Sequence, residues 1–236
     1  MKKRRIFRNL NDKEFAWVLY DVGNSAYTML ACALIPIWFK AMAIGTKPGQ
    51  LTSDRATAYY SMAIAVITIV VALLGPVCGA ISDYKGMKKI FFTSTVAVGV
   101  CGCILNGFAC QWIVFLLLFA VTKIFYNMSL MFYDSMLNDI TTEERMDEVS
   151  SYGYAWGYLG SCIPFLIALV AYVLGPDMAG IISGKLSMAI GFAVTGLWWL
   201  LVTVPLIKNY KQINYVEKKE HAVRSAFRRI FETVSY

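Results

Sequence analysis

Residues 112–138 read WIVFLLLFAVTKIFYNMSLMFYDSMLN, and this stretch decides the fold. A helix crosses the hydrocarbon core of a bilayer with about 20 apolar residues, so the stretch is long enough to span a membrane. Ionisable groups inside such a span are costly and normally face a cavity or a partner. The polar face of the predicted helix consists of residues spaced three or four apart: Lys123, Asn127, Leu130 and Asp134. This pattern predicts a membrane helix whose one polar face is covered by neighbouring helices.

The composition of the whole chain agrees with a membrane protein. Of the 236 residues, 58% are hydrophobic and 16% are charged, whereas a soluble domain has about a quarter charged residues. We therefore expect an all-α integral membrane bundle of six transmembrane helices. The predicted spans are Phe15–Ala43, Ala58–Ser82, Ile90–Ala109, Trp112–Asn138, Ser150–Leu174 and Ala179–Ile207.

The positive charge predicts orientation rather than nucleic-acid binding. The net charge is +7, and most of the 22 lysine and arginine residues lie before the first span, in the second and fourth loops and in the tail. Both termini are therefore predicted to be cytoplasmic, with residues 1–14 as a basic cytoplasmic N-terminus and the first span retained rather than cleaved as a signal peptide. The partners expected from this arrangement are membrane lipids and not nucleic acid. The basic residues on the opposite side are Lys40, Lys47, Arg55 and Lys185.

The first span carries a second polar face. Its polar side chains fall on one side of a helix: Asp21, Asn24, Ser25, Thr28 and Cys32. Asn, Ser and Thr residues also hold transmembrane helices together by hydrogen bonds, and that interpretation stays open for Asn24, Ser25 and Thr28. The burial cost of a charge favours a functional role for Asp21.

Small residues predict where helices pack closely. Gly75 and Gly79 form a GxxxG pair in the second span, and the fifth span has glycines at positions 153, 157 and 160. The third and sixth spans have no charge at their centres and are predicted to face lipid. Trp198 and Trp199 belong to this lipid-facing surface of the sixth span.

The residues that an enzyme or metal site needs are missing from the sequence pattern. The single histidine, His221, lies in the tail. The sequence contains no recognisable pair of a catalytic nucleophile and a general base. All six cysteines lie in or beside apolar segments, without a companion set of metal ligands. We expect no enzyme, no metal and no cofactor.

The loop after the second span resembles a known signature. It reads GAISDYKGMKK over residues 79–89 and resembles the loop between helices two and three of the major facilitator superfamily, G-x-x-x-D-(R/K)-x-G-(R/K)-(R/K). Gly79, Asp83, Gly86 and Lys88 match, whereas Tyr84 and Met87 replace basic residues. The resemblance implies that this loop holds two halves of a transporter together on the cytoplasmic side. The residues assigned to this latch or gate are Gly79, Asp83, Gly86, Lys88, Lys89 and, by its position near the inner interface, Asp134.

Three further runs are similar to one subfamily, the vacuolar-effluxer-like group typified by the autophagy-related vacuolar amino-acid exporter. Residues 17–27 read WVLYDVGNSAY, residues 151–160 read SYGYAWGYLG, and the fourth span contains FYN at 125–127 and FYDSMLNDI at 132–140. Asp134 stands where the subfamily pattern usually has Asn, and Asn138 where it has Pro. The resemblance covers Trp17 to about Ile207.

The resemblance implies a secondary transporter of small polar solutes, with amino acids as the leading class, in a bacterial cytoplasmic membrane. Facilitators have two six-span halves with the substrate between them, so residues 15–207 are interpreted as the N-terminal half. A second six-span half or a homodimer partner is then expected. The tail, residues 208–236, is predicted to be a basic amphipathic segment on the inner leaflet. Its apolar face contains Ala226, Phe227, Ile230, Phe231 and Val234.

The implied substrate cavity is formed by the polar faces of spans one and four. Lys123 is expected either to bind a substrate carboxylate or to pair with Asp21. An alternative is a six-span assembly or regulatory subunit, or a truncated remnant, that transports nothing. The residues assigned to the cavity are Asp21, Asn24, Ser25, Thr28, Lys123, Tyr126 and Asn127. The residues assigned to helix packing are Gly75, Gly153, Gly157 and Gly160, and we expect the glycines of spans two and five to line the open side of the bundle.

Overall fold

The computed structural model describes residues 9–176 and 178–217. The predicted N-terminal basic segment up to residue 8 and the amphipathic part of the tail lie outside the described residues. Within the described part, six long helices follow one another: α1 (Asp12–Ala43), α2 (Ser53–Ser82), α3 (Met87–Asn106), α4 (Trp112–Ile140), α5 (Met146–Val173) and α6 (Gly184–Asn209). All six are long and apolar enough to cross a membrane. The expectation of an all-α bundle of six membrane helices is confirmed.

The start of α6 is one of the helix boundaries that differ from the sequence expectation. The helix begins at Gly184 rather than at Ala179. Gly180 has a φ of 65°, in the left-handed region that ends regular structure. Ser183 then caps the helix, because its side chain accepts a hydrogen bond from the backbone N–H of Leu186.

Helix α1 is the centre of the bundle. It packs mainly against α5 and α6 and also contacts α4 and α2, whereas α3 packs against α4 and α6. Half of the most apolar part of α1 is buried, compared with 11% for α2. Helix α2 therefore lies at the periphery, with most of its apolar surface directed outward.

The expectation that α6 faces lipid is wrong for Trp199. This side chain is completely buried, and its ring stacks on Tyr27 of α1 at a centroid distance of 5.7 Å. Gly99 of α3 makes room for it, since a Cβ there would lie 2.6 Å from the indole ring. In a membrane helix both the lipid-facing and the buried side are apolar, so the absence of charge did not distinguish them.

The alternation of the helices puts the start of α1, the end of α2 and the end of α6 at one end of the bundle. We call this the terminal end. The loop between α2 and α3 and the junction between α4 and α5 lie there too.

Candidate functional site

A cavity of about 320 Å³ lies between α1, α4 and α5. Its wall from α1 contains Asp21, Asn24, Ser25 and Thr28, which are four of the five residues predicted to share a polar face, and Cys32 is not among the lining residues. The other side chains that line it are Trp17, Met29, Leu130, Tyr133, Asp134, Leu137, Ser150, Tyr154 and Tyr158.

Asp21 is positioned by its own helix and by the glycines of α5. The side-chain amide of Asn24 donates to Asp21 Oδ1 at 3.1 Å. A Cβ at Gly157 would lie 3.0 Å from Asp21 Oδ2, and one at Gly153 would lie 3.4 Å from it. The carboxylate therefore occupies space that only glycines leave between α1 and α5.

The prediction that the α5 glycines line an open side of the bundle is wrong. Gly153 faces Trp17, Gly157 faces Asp21, and a Cβ at Gly160 would lie 2.4 Å from Val22 Cγ1. Small residues allow two helix backbones to approach closely, and here the partner of α5 is α1 of the same chain. Gly75 of α2 faces Met131 at an ordinary contact distance, whereas a Cβ at Gly79 would meet nothing within 4 Å.

Lys123 lies outside this cavity and against aromatic rings. Its Nζ is 4.6 Å from the ring centroid of Tyr126 and 5.7 Å from that of Tyr27, which is the geometry of a cation–π contact. The Tyr126 hydroxyl shares a hydrogen bond with Thr28 Oγ1. Lys123, Tyr126 and Asn127 are not among the lining side chains. Lys123 is thus linked to the cavity wall through Tyr126, whose hydroxyl contacts Thr28.

The expected ion pair between Asp21 and Lys123 does not form among the residues that the structure describes. Tyr126 lies between this part of α4 and the wall of α1, because its hydroxyl contacts Thr28 while its ring contacts Lys123. The polar face of α4 therefore lies in two environments: Lys123 packs against aromatic rings, whereas Asp134 lines the cavity.

Asp134 lines the cavity rather than the latch at the terminal end. It is solvent-exposed and is beside Tyr133, opposite the polar face of α1. The carboxylate that joins the latch is Asp139, five residues later. Side chains five positions apart on an α-helix differ in direction by about 140° around the helix axis. Asp134 and Asp139 therefore point to different sides of α4.

The latch centres on the buried pair of Lys88 and Asp139. Lys88 Nζ lies 3.6 Å from Asp139 Oδ2 and also donates to the backbone carbonyl of Ser135 at 3.3 Å. Gly86 precedes Lys88 with a φ of 77°, so the turn needs a glycine at this position. Asp139 is part of the run FYDSMLNDI at residues 132–140. That pattern did not indicate its role in the latch.

Residues 210–216, which we call the strap, bind the same carboxylate. The Tyr210 hydroxyl donates to Asp139 Oδ2 at 2.5 Å, and the backbone N–H groups of Ile213 and Asn214 donate to Asp139 Oδ1 at 3.2 and 2.7 Å. Burial and the adjacent Asp139 carboxylate raise the pKa of Tyr210. The hydroxyl therefore remains a donor at neutral pH. Lys89 Nζ contacts the backbone carbonyl of Tyr210 at 3.5 Å.

The strap also crosses the loop between α2 and α3. The backbone N–H of Val216 donates to the carbonyl of Asp83 at 2.8 Å, and Gln212 donates to the carbonyl of Ser82 at 3.2 Å. Lys85 lies 5.2 Å from the ring centroid of Tyr215. Asp83 thus contributes its backbone carbonyl to this contact.

A second charge pair, between the buried Glu14 and the partly exposed Arg145, joins the start of α1 to the junction of α4 and α5. Glu14 is 1% exposed and accepts hydrogen bonds from Arg145 at 3.0 and 3.1 Å, from Thr141 at 2.7 Å and from the backbone of Asn11 at 2.8 Å. Asn11 and Glu14 also form a capping box. The spacing of Asn11 and Glu14 was a recognisable signal for the cap, whereas the contact with Arg145 spans 131 positions of sequence.

Comparison with known proteins identifies the family. The sequence profile of the Major Facilitator Superfamily matches residues 16–234. The chain is 35% identical over 232 residues to a protein of Bacillus subtilis (strain 168) described as the uncharacterized MFS-type transporter YxiO. The match covers 97% of this chain and 54% of the relative, so the chain spans about half the length of the curated relative. No solved structure matches the chain.

Proposed function

Because the chain belongs to the Major Facilitator Superfamily, we propose that its six helices form one half of a secondary transporter. The other six helices belong to the same polypeptide, to a separate chain or to a second copy. The two halves rock about a site near the middle of the membrane, so that it opens alternately to the two sides. The protein is an integral membrane protein, and the cytoplasmic membrane of a bacterium with both termini inside fits the charge pattern and the source of the relative.

The cavity between α1, α4 and α5 is the observation that carries this proposal. It combines one carboxylate of α1, one carboxylate of α4 and several neutral polar groups within helices of membrane-spanning length. Ionisable side chains in such helices are rare and usually mark the path of a solute or ion. Asp21, Asn24, Ser25 and Thr28 contact the solute in this proposal, and Lys123, Tyr126 and Asn127 support that wall from behind.

The latch has a separate role in the proposed cycle. Gly79, Asp83, Gly86, Lys88 and Lys89 belong to the loop at the terminal end, on the cytoplasmic side in this proposal. The buried Lys88–Asp139 pair and the strap hold this loop against α4. Asp134, which the sequence suggested for the latch, is assigned to the cavity in this proposal because it is one of the lining residues.

Amino acids are the proposed solutes. The resemblance of residues 17–27 and 151–160 to the vacuolar-effluxer-like group supports this choice, and the size of the cavity is compatible with it. The protein needs no cofactor in this proposal, and the residues that the structure describes contain no cluster of metal ligands.

Transport by reconstituted protein tests the proposal. The complete transporter that contains this chain is placed in liposomes loaded with the twenty amino acids, and the released amino acids are measured by mass spectrometry. We expect release of a subset of them, and at least a tenfold slower release by Asp21→Asn. Asp54→Asn, an exposed carboxylate in the first turn of α2, serves as the matched control. Release no faster than from protein-free liposomes contradicts the proposal.

A further inference from the structure

The cavity between α1, α4 and α5 is negatively charged. Asp21 and Asp134 are the only carboxylic acids among its lining residues, and no lysine, arginine or histidine lines it. Neither carboxylate takes part in an ion pair within residues 9–176 and 178–217. Lys123, a cation within the membrane-spanning part of α4, lies against the rings of Tyr126 and Tyr27 outside the cavity. The two acidic side chains therefore have no basic side chain among the lining residues to compensate a negative charge.

The hydroxyl of Tyr133 is a second feature that points to a ligand. Tyr133 lines the cavity and is 3% exposed, and its hydroxyl has no hydrogen-bond partner among the described residues. Its ring is fixed by stacking on Trp17, with a centroid distance of 4.3 Å and an interplanar angle of 13°. A buried polar group is normally hydrogen-bonded, and this unpartnered hydroxyl belongs to a side chain of the cavity wall.

The remaining aromatic side chains favour the same kind of ligand. Tyr154 and Tyr158 of α5 line the cavity and are 68% and 70% exposed. Aromatic ring faces attract cations, and carboxylates in a partly apolar cavity are stabilised by a nearby positive charge. An anion would be repelled by both carboxylates, and a neutral solute would leave their charges uncompensated.

From these observations we infer that this half of the transporter recognises a positively charged nitrogen of the solute, such as a protonated amine, between Asp21 and Asp134. The inference rests on the proposed function of the cavity and specifies which group of the solute this wall contacts. For an amino acid the group would be the ammonium, and its carboxylate would be bound elsewhere. A carboxylate bound to Lys123, which the sequence suggested, is not part of this arrangement.

A protection experiment with ligands that differ in charge tests the inference. Ser150 lines the cavity and is replaced by cysteine in the complete transporter. The rate of its reaction with N-ethylmaleimide, a neutral reagent, is read from the modified peptide by mass spectrometry. The competing ligands are phenethylamine, phenethyl alcohol and phenylacetate, which share a ring but are cationic, neutral and anionic. Cys110, an exposed native cysteine before α4 at the other end of the bundle, reports any effect outside the cavity.

We expect phenethylamine to protect Ser150→Cys at a concentration at least tenfold lower than phenethyl alcohol does, and phenylacetate to protect least. Asp21→Asn and Asp134→Asn should each weaken protection by the amine at least fivefold, whereas Asp54→Asn should leave it unchanged. Equal protection by amine and alcohol, protection by the acid as strong as that by the amine, or no protection by any ligand overturns the inference. In these cases the proposed function stands, because the reaction shows an open cavity. If Cys110 reacts but Ser150→Cys does not, the cavity is closed and both proposals fail.

Discussion

Lys88 Nζ lies 3.6 Å from Asp139 Oδ2, and the two side chains are 6% and 0% exposed. This pair joins the start of α3 to the end of α4. The same carboxylate receives three hydrogen bonds from the strap. One carboxylate therefore holds three segments of the chain together.

Replacing this carboxylate should destabilise the terminal end. Asp139→Asn leaves Lys88 buried without its counter-charge, and breaking a buried pair in this way costs about 3–5 kcal/mol. We expect a lower melting temperature of the detergent-solubilised protein, followed by tryptophan fluorescence. Hydrogen exchange at the backbone amides of Ile213 and Asn214 should also become faster, because both amides lose a charged acceptor.

Asp147→Asn is the matched control for that experiment. Asp147 is exposed in the first turn of α5, so the same chemical change should alter the free energy of unfolding by less than about 1 kcal/mol. Equal melting temperatures for Asp139→Asn and Asp147→Asn would show that the buried pair is not a stabilising contact.

Arg145 contacts two glutamates that differ in burial, Glu14 and Glu148, and these can be compared. Glu14→Gln weakens the charged hydrogen bonds from Arg145 and Thr141, each worth about 1.5–3 kcal/mol. Glu148 also lies near Arg145, at 3.4 Å, but its side chain is 41% exposed, and an exposed pair contributes about 0–1 kcal/mol. We expect Glu14→Gln to lower the melting temperature clearly and Glu148→Gln to change it little. A larger loss of melting temperature for Glu148→Gln than for Glu14→Gln would contradict the burial of Glu14.

Two glycine substitutions test the close packing of α5 on α1. Gly160→Ala places a Cβ 2.4 Å from Val22 Cγ1, and overpacking of this kind costs about 1–3 kcal/mol. Gly79→Ala meets nothing within 4 Å and removes a helix-weakening glycine, which is worth about 0.5–1 kcal/mol. Thermal unfolding of the two variants should therefore shift in opposite directions. A stability loss for Gly79→Ala equal to that for Gly160→Ala would contradict this packing.

The role proposed for Lys123 is one of positioning. Lys123→Met and Lys123→Ala remove the charge that lies over the ring of Tyr126, so Tyr126 is held less firmly against Thr28. We expect both variants to insert normally, since loss of a charge inside a span favours insertion, and to lose transport in proteoliposomes. Lys123→Arg preserves the cation–π contact and should retain most of the activity. Normal transport by Lys123→Met would exclude this role.

The polar wall of α1 could be predicted from sequence because it depends on local spacing. Asp21, Asn24, Ser25 and Thr28 follow the helical repeat, and all four line the cavity. The spans could be predicted for the same reason, since length and hydropathy are local properties. The glycine turn at Gly86 was visible within a pattern of eleven residues.

The features that the sequence did not reveal depend on distant contacts. Asp139 has the sequence context of an ordinary acidic residue after a span, and its burial comes from residues 71–75 positions later. The α5 glycines indicate a close helix contact but do not specify the partner, which is α1 of the same chain. Trp199 could not be assigned to the interior, because lipid and core favour the same apolar side chains.

The strap determines how force reaches this bundle from whatever follows it in the chain. The backbone of Val216 is bonded to the loop between α2 and α3, and Asn214 is bonded to the end of α4. A pull on the chain beyond this point therefore loads that loop and α4 before it loads the last turn of α6. A force applied through the following segment is thus transmitted to the loop between α2 and α3 and to the end of α4, in the middle of the sequence, rather than to the end of α6.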